Sequence, residues 1–265
     1  MWIQQELIVT STYNIAHTTK QIYRVMERFI NSFMKTITCY NLETGDFPGP
    51  IVTISRQAGC SAQRLAIKLS KILTGYSYMS DTKTDAEWKW VDKEVFDQVV
   101  ADMTEEVNAG DYDDKAEAIK TLNHVATAFS NETIYDISDA QAIDIFKGII
   151  CRLARNGRVI IVGRSAGVIL GDVPNKLNVR LEAPMDWRIN RIMQLKDCSQ
   201  TEAVDYVKDM DTKRDAFIEK IIGRQARNED FDVIFNYSTL QDDEIIDAIV
   251  NILKNKKIIS QHEDY

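Results

Sequence analysis

A short β-branched run, Ile51-Val52-Thr53-Ile54, meets an apolar-striped segment through one tight turn of small residues, and this junction constrains the fold more than any other part of the chain. Ile51, Val52 and Ile54 read as a strand buried on both faces, as the strands of a parallel sheet do. Leu65, Ala66, Leu69, Ile72 and Leu73 then recur at helical spacing. Between the two, Gly59 admits a backbone conformation closed to most residues. Cys60, Ser61 and Ala62 are small enough for their N–H groups to approach an anion at the helix N-terminus. The full signature G-x-x-x-x-G-K-[ST] is absent, because no lysine follows the turn and Ala62, Gln63 and Arg64 stand in its place. Two readings therefore stand side by side: a phosphate-binding loop, and an ordinary strand-turn-helix of an α/β sheet.

The alternation continues downstream. Strands are expected at Val159–Val162, Leu177–Glu182 and Phe231–Phe235, and helices at 185–196, 201–220 and 242–253, the pattern of a central parallel sheet covered on both faces. From Tyr76 to Gly148 the pattern is helical and acidic, with no strand signal and a polar break at 108–114. An apolar stripe over about 15–37 predicts a helix, so residues 1–45 form an N-terminal extension that packs on the main domain or pairs two copies into a homodimer. Gly and Pro over 41–50 mark the linker that follows.

With 265 residues and a formal charge of −8, the chain is long enough for a large core and too acidic for nucleic-acid or anionic-membrane binding through bulk charge. No run approaches the length of a membrane span, and the N-terminus lacks the order of a secretory signal, so a cytoplasmic location is expected. Cys39, Cys60, Cys151 and Cys198 are widely spaced and read as reduced thiols. Cys60 falls at a helix N-terminus, where a thiol pKa drops, so oxidation-sensitive binding is an expectation for it beside the plainer role of a small loop residue. His17, His124 and His262 share no metal-ligand spacing.

Ligands of such sheets bind beyond the carboxyl ends of the strands, and those positions are basic here. Ser55, Arg56 and Gln57 follow the first strand, and Gly163 and Arg164 the second. Arg188, Arg191, Lys213, Arg214, Lys220, Arg224 and Arg227 populate the C-terminal half. Arginine suits phosphate because its planar fork keeps its charge and donates paired hydrogen bonds. The competing reading is a set of solvated helix faces paired with Asp205, Asp209, Asp211, Asp215 and Glu219.

These blocks carry a resemblance. Ile54-Ser-Arg-Gln-Ala-Gly59, Val91-Asp-Lys-Glu94, Val159-Ile-Ile-Val-Gly-Arg164, Ala183-Pro184 with Arg188 and Arg191, Asp211-Thr-Lys-Arg214 and Phe231-Asp-Val-Ile-Phe-Asn236 resemble the cytidylate kinase-like family, a branch of the P-loop nucleoside monophosphate kinases. The resemblance implies an α/β, P-loop kinase-type three-layer sandwich over 46–257, with a helical acceptor-binding insertion at 76–150, a lid at 205–227 and a tail at 258–265. It implies ATP- and Mg2+-dependent phosphoryl transfer to CMP, dCMP or a related small acceptor, with nucleotides as partners. Arg64, Arg164, Lys213 and Arg214 would be catalytic. Arg56, Gln57, Gly59, Cys60, Ser61, Ala62, Gln63, Asp92, Lys93, Gly163, Ser165, Arg188 and Asp211 would bind nucleotide, and Ser61 would also ligate the metal. The absent loop lysine motivates an alternative, a catalytically silent nucleotide-binding or regulatory module, and Ser165 in place of an aspartate bears on which acceptor is taken.

Overall fold

The computed structural model describes residues 50–78, 87–91, 93–110, 115–129, 140–155, 157–171 and 173–259; the N-terminal extension and residues 260–265 lie outside the described residues. Strand β1 (Ile51–Arg56) runs through the middle of a five-stranded, all-parallel sheet. Its companions are β2 (Lys89–Val91), β3 (Val159–Val162), β4 (Lys176–Glu182) and β5 (Val233–Asn236), in the order β2-β3-β1-β4-β5. Ile54 stands opposite Val162 on one side and Val179 on the other. After β1 the chain crosses to the β2 and β3 side, then to the β4 and β5 side. The carboxyl end of β1 therefore lies at the reversal, where open parallel sheets bind ligands.

Period-two alternation decides which helices cover which face. Val52, Ile54, Ile160, Val162, Leu177, Val179 and Leu181 form one core with Leu65, Leu69 and Leu73 of α1 (Ala62–Tyr78) and with Ile245, Ile246, Ile249 and Leu253 of α8 (Asp242–Asn255). On the other face, Thr53 and Asn178 lie beneath α5 (Ala166–Leu170), with a hydrogen bond from Thr53 to Asn178 Oδ1. Helix α6 (Met185–Lys196) packs on α7 (Gln200–Ile222) through Ile189, Ile192, Ala203, Val207 and Met210, and Ala58 of the turn after β1 joins that cluster.

Helix α7 runs unbroken for 23 residues, from a capping box at Ser199 and Glu202 to a left-handed C-cap at Gly223. Residues 205–222 of the expected lid are thus helical, and Val207, Met210, Phe217 and Ile221 are buried. One correction concerns β2, which falls in a stretch that reads as helical throughout. Three residues are too few to show alternation, and pairing with β3 fixes the strand. The short α5 also carries no periodic signal of its own. The last strand begins two residues later than its apolar run, since Asp232 ahead of it exchanges hydrogen bonds with the Asn178 backbone.

The chain divides into two compact units, of which residues 37–93 and 150–265 hold the sheet. Residues 94–149 belong to the other, which contains most of α2 (Lys93–Ala109), α3 (Lys115–Phe129) and the first turns of α4 (Ala140–Arg155). Within it the Phe96 and Phe146 rings meet edge-on at 5.4 Å.

Candidate anion-binding site

The turn after β1 is built from its own backbone and from α7. Gln57 N–H extends the β1–β4 ladder to Leu181 O at 3.0 Å, and the Gln57 side chain accepts from Ala183 N–H at 3.1 Å. Cys60 N–H donates to Gln57 O and Ala62 N–H to Cys60 O, while Asp211 of α7 accepts Ala58 N–H at 2.8 Å. Gly59 takes φ +92, with the Arg188 backbone and Cβ packed against the space a side chain would need. Ser61 precedes the first residue of α1. The N–H groups of Gly59 and Ser61 make no hydrogen bond among the described residues, leaving two donors at a helix N-terminus for an anion.

Arginines surround this turn in two roles. Arg188, buried, donates to Ala183 O and pairs with Asp211 at 2.5 Å, so it is consumed in fastening α6 and α7 to the turn. Arg214 donates to Arg56 O at 3.3 Å and lies 3.6 Å from Asp211. Arg191 differs from both. Its Nη2 donates to Ser61 Oγ at 3.0 Å, its guanidinium lies over the Trp187 ring at 5.1 Å and the Tyr237 ring at 5.6 Å, and its buried Nε has no hydrogen-bond partner among the described residues. Sequence reasoning placed Arg191 in the basic set suited to phosphate and in a family block without singling it out; its spacing three residues after Arg188, nearly one helical turn, was the available signal.

Arg64 lies apart from the turn. Its guanidinium binds Asp242 at 2.8 Å and the Tyr237 hydroxyl at 3.1 Å, and its side chain is 56% exposed. The Asp242 hydrogen bond is the main reason its pKa is raised. Lys213 pairs with Asp209 one turn back. Gln63 is exposed, Lys93 opens α2, and Asp92 is outside the described residues. Cys60 corrects the expectation of a lowered thiol pKa: burial dominates and pushes it up to about 11, so the thiol is protonated and unreactive at neutral pH.

The end of β3 forms the second wall. Gly163, Arg164 and Ser165 have φ of +73, +57 and +52, three successive left-handed residues, two of which carry side chains. A Cβ on Gly163 would collide with the Arg56 guanidinium, so Gly163 lets Arg56 cross from β1 to β3. The buried Ser165 hydroxyl has no partner among the described residues.

The family comparison bears on this arrangement directly, since the model of the cytidylate kinase-like family matches residues 51–239, from β1 through the turn after β5. The chain belongs to the cytidylate kinase-like family. Among solved structures, an uncharacterized protein from Eubacterium ventriosum aligns with a TM-score of 0.52 at 18% identity, over 77% of this chain and 98% of that one, and shares the fold. A shikimate kinase from Bacteroides thetaiotaomicron aligns with a TM-score of 0.39 at 15% identity, over 77% of this chain and 96% of that one. A uronate isomerase from Corynebacterium glutamicum is 24% identical over 98 residues, 37% of this chain, and the match spans 19% of that protein. No helix among the described residues of this cytidylate kinase-like chain is long and apolar enough to cross a membrane.

Proposed function

We propose that the chain transfers a phosphoryl group from ATP to a nucleoside monophosphate, CMP or dCMP, at the carboxyl end of β1. The observation that carries this reading is Arg191, whose Nη2 meets the Ser61 hydroxyl at the start of α1 beside the undonated Gly59 and Ser61 N–H groups. A cation with spare donors next to two backbone N–H groups supplies the charge a loop lysine would bring. In this reading Arg191 and the turn hold the donor phosphates. Arg56, Arg164 and Ser165 at the strand ends face the acceptor, and Arg214, fastened to the Arg56 carbonyl, neutralises charge that develops between them.

The Ser61 hydroxyl does not fit the role of metal ligand. It already accepts from a guanidinium, whose charge repels a second cation, and no group of three His, Cys, Asp or Glu side chains gathers among the described residues. Mg2+ then enters as part of the substrate, carried on ATP phosphates with most of its waters retained.

The test is a turnover assay with ATP, Mg2+ and a panel of nucleoside monophosphates on the full chain and on Arg191→Ala. The expected result is transfer to CMP or dCMP, with kcat/KM lowered about 100-fold or more in the variant, the scale set by loss of one charge-stabilising donor. Equal turnover in both would overturn the assignment. One observation favours the silent module instead: Ala58 N–H, Arg188 and Asp211 satisfy one another, and Arg64 is engaged by Asp242. That reading predicts ATP binding with no product for any acceptor.

A further inference from the structure

Tyr237 stands between Arg191 and Asp242. Its ring faces the Arg191 guanidinium at 5.6 Å and meets the Trp187 ring edge-on at 6.0 Å, and its hydroxyl donates to Asp242 Oδ1 at 2.8 Å. Tyr237 and Asp242 are only 4% and 6% exposed, and Tyr237 N–H is fixed to Glu182 O at the end of β4 at 2.7 Å. Arg191 has no carboxylate partner among the described residues. Its position depends on the two rings and the Ser61 hydroxyl, and a guanidinium held by ring faces keeps its N–H donors for another acceptor.

Asp242 anchors this arrangement. Besides the phenol it accepts Arg64 at 2.8 Å and Lys68 at 3.3 Å. A phenol that donates to a carboxylate gains electron density on its ring, which strengthens the ring's hold on a cation over its face. We propose that Asp242 is a positioning residue for the anion site: acting through Tyr237, it holds Arg191 against the start of α1, where that arginine meets the phosphates of a nucleoside triphosphate. Burial pushes the Asp242 carboxyl up, but hydrogen bonds from Tyr237 and Arg64 outweigh it and leave the group below the usual carboxylate range. Burial, then the Asp242 hydrogen bond, raises the Tyr237 phenol. Both shifts keep the phenol a donor and the carboxylate an acceptor at neutral pH.

The inference rests on the reading that the turn after β1 binds donor phosphates, and calorimetric titration of the full chain with inorganic tripolyphosphate separates the two. Arg191→Ala is expected to weaken binding about 10- to 100-fold, the worth of a charge-assisted hydrogen bond. Tyr237→Leu, which removes the ring, is expected to weaken it about tenfold, and Asp242→Asn and Tyr237→Phe, which weaken or delete the phenol–carboxylate link but keep the ring, by a smaller factor of about three. Lys68→Ala removes a partner of Asp242 without touching Tyr237 and leaves the affinity unchanged. Melting temperatures are recorded in parallel, because a purely structural Asp242 would lower Tm and leave the Kd of the folded protein where it was. If Asp242→Asn does not fold, the two Tyr237 variants decide the matter. No binding by the unsubstituted chain, or no effect of Arg191→Ala, would overturn the phosphate reading. A large effect of Arg191→Ala with unsubstituted affinity in Asp242→Asn, or in both Tyr237 variants, would overturn the positioning role and leave the phosphate reading intact.

Discussion

Asp230 shows how much one side chain organises at the end of the sheet opposite the candidate site. Its carboxylate accepts both Arg224 Nη groups, at 2.7 and 2.5 Å, and the Arg227 N–H at 2.7 Å, while its carbonyl accepts from the buried Asn178 amide. The Arg224 hydrogen bonds, aided by that of Arg227, bring its pKa from 3.8 down to about 2. The unfolded chain therefore binds a proton that the folded chain refuses between those values, so this stabilisation is complete above about pH 4 and is lost as pH falls toward 2. Asp230→Asn should cost about 1–2 kcal/mol at neutral pH, discounted for the exposure of Arg224, and the difference from the unsubstituted chain should shrink through that window in denaturant titrations. An undiminished difference at the acid end would contradict the linkage. Individual roles were the least legible part of the sequence. Arg64 follows the turn closely, yet Asp242, 178 residues away, draws it off. Arg191, 130 residues from Ser61, supplies the cation instead. Spacing along a chain does not encode such long-range choices between ion-pair partners.

Elements were legible wherever burial imposed a period. β1, β3 and β4 are apolar runs because helices cover both sheet faces, and α6, α7 and α8 fall within a few residues of their stripes. β2 was not legible, since its strand character comes from β3 beside it. Two glycines in helices separate the local from the tertiary contribution. Gly75 in α1 has nothing within 4 Å of the position a methyl group would take and no positive φ, so Gly75→Ala should stabilise the chain by about 0.5–1 kcal/mol through helix propensity and unfolded-state entropy. Gly167 in α5 faces Asn178, which is 1% exposed and held by Thr53 and Asp230, and a methyl there would overlap its amide. That amide has nowhere to move, so Gly167→Ala should destabilise by about 1–3 kcal/mol. Opposite shifts in Tm would confirm that packing, and not helix propensity, fixes α5; a gain in both would refute it.

At the scale of the whole molecule, the division into two compact units sets how the chain should unfold. Trp88, Trp90 and Trp187 all belong to the unit that holds the sheet, whereas α2, α3 and the first turns of α4 contribute helix to the other. In a Trp2→Phe background, tryptophan fluorescence reports the sheet unit alone, and far-ultraviolet circular dichroism reports the helices of both. Two units with separate cores need not share one transition, so the fluorescence and dichroism curves in denaturant should fail to superimpose. The candidate site lies wholly within the sheet unit, because the turn after β1, α6, α7, Tyr237 and Asp242 are all part of it. A ligand that binds only the folded form stabilises the unit that holds it, by about 2.7 kcal/mol at a hundredfold excess over Kd. Tripolyphosphate should therefore move the fluorescence midpoint to higher denaturant and leave the remaining dichroism transition in place. Coincident curves that shift together would instead show one cooperative body, in which anion binding at β1 stabilises the helices of residues 94–149 as strongly as the sheet.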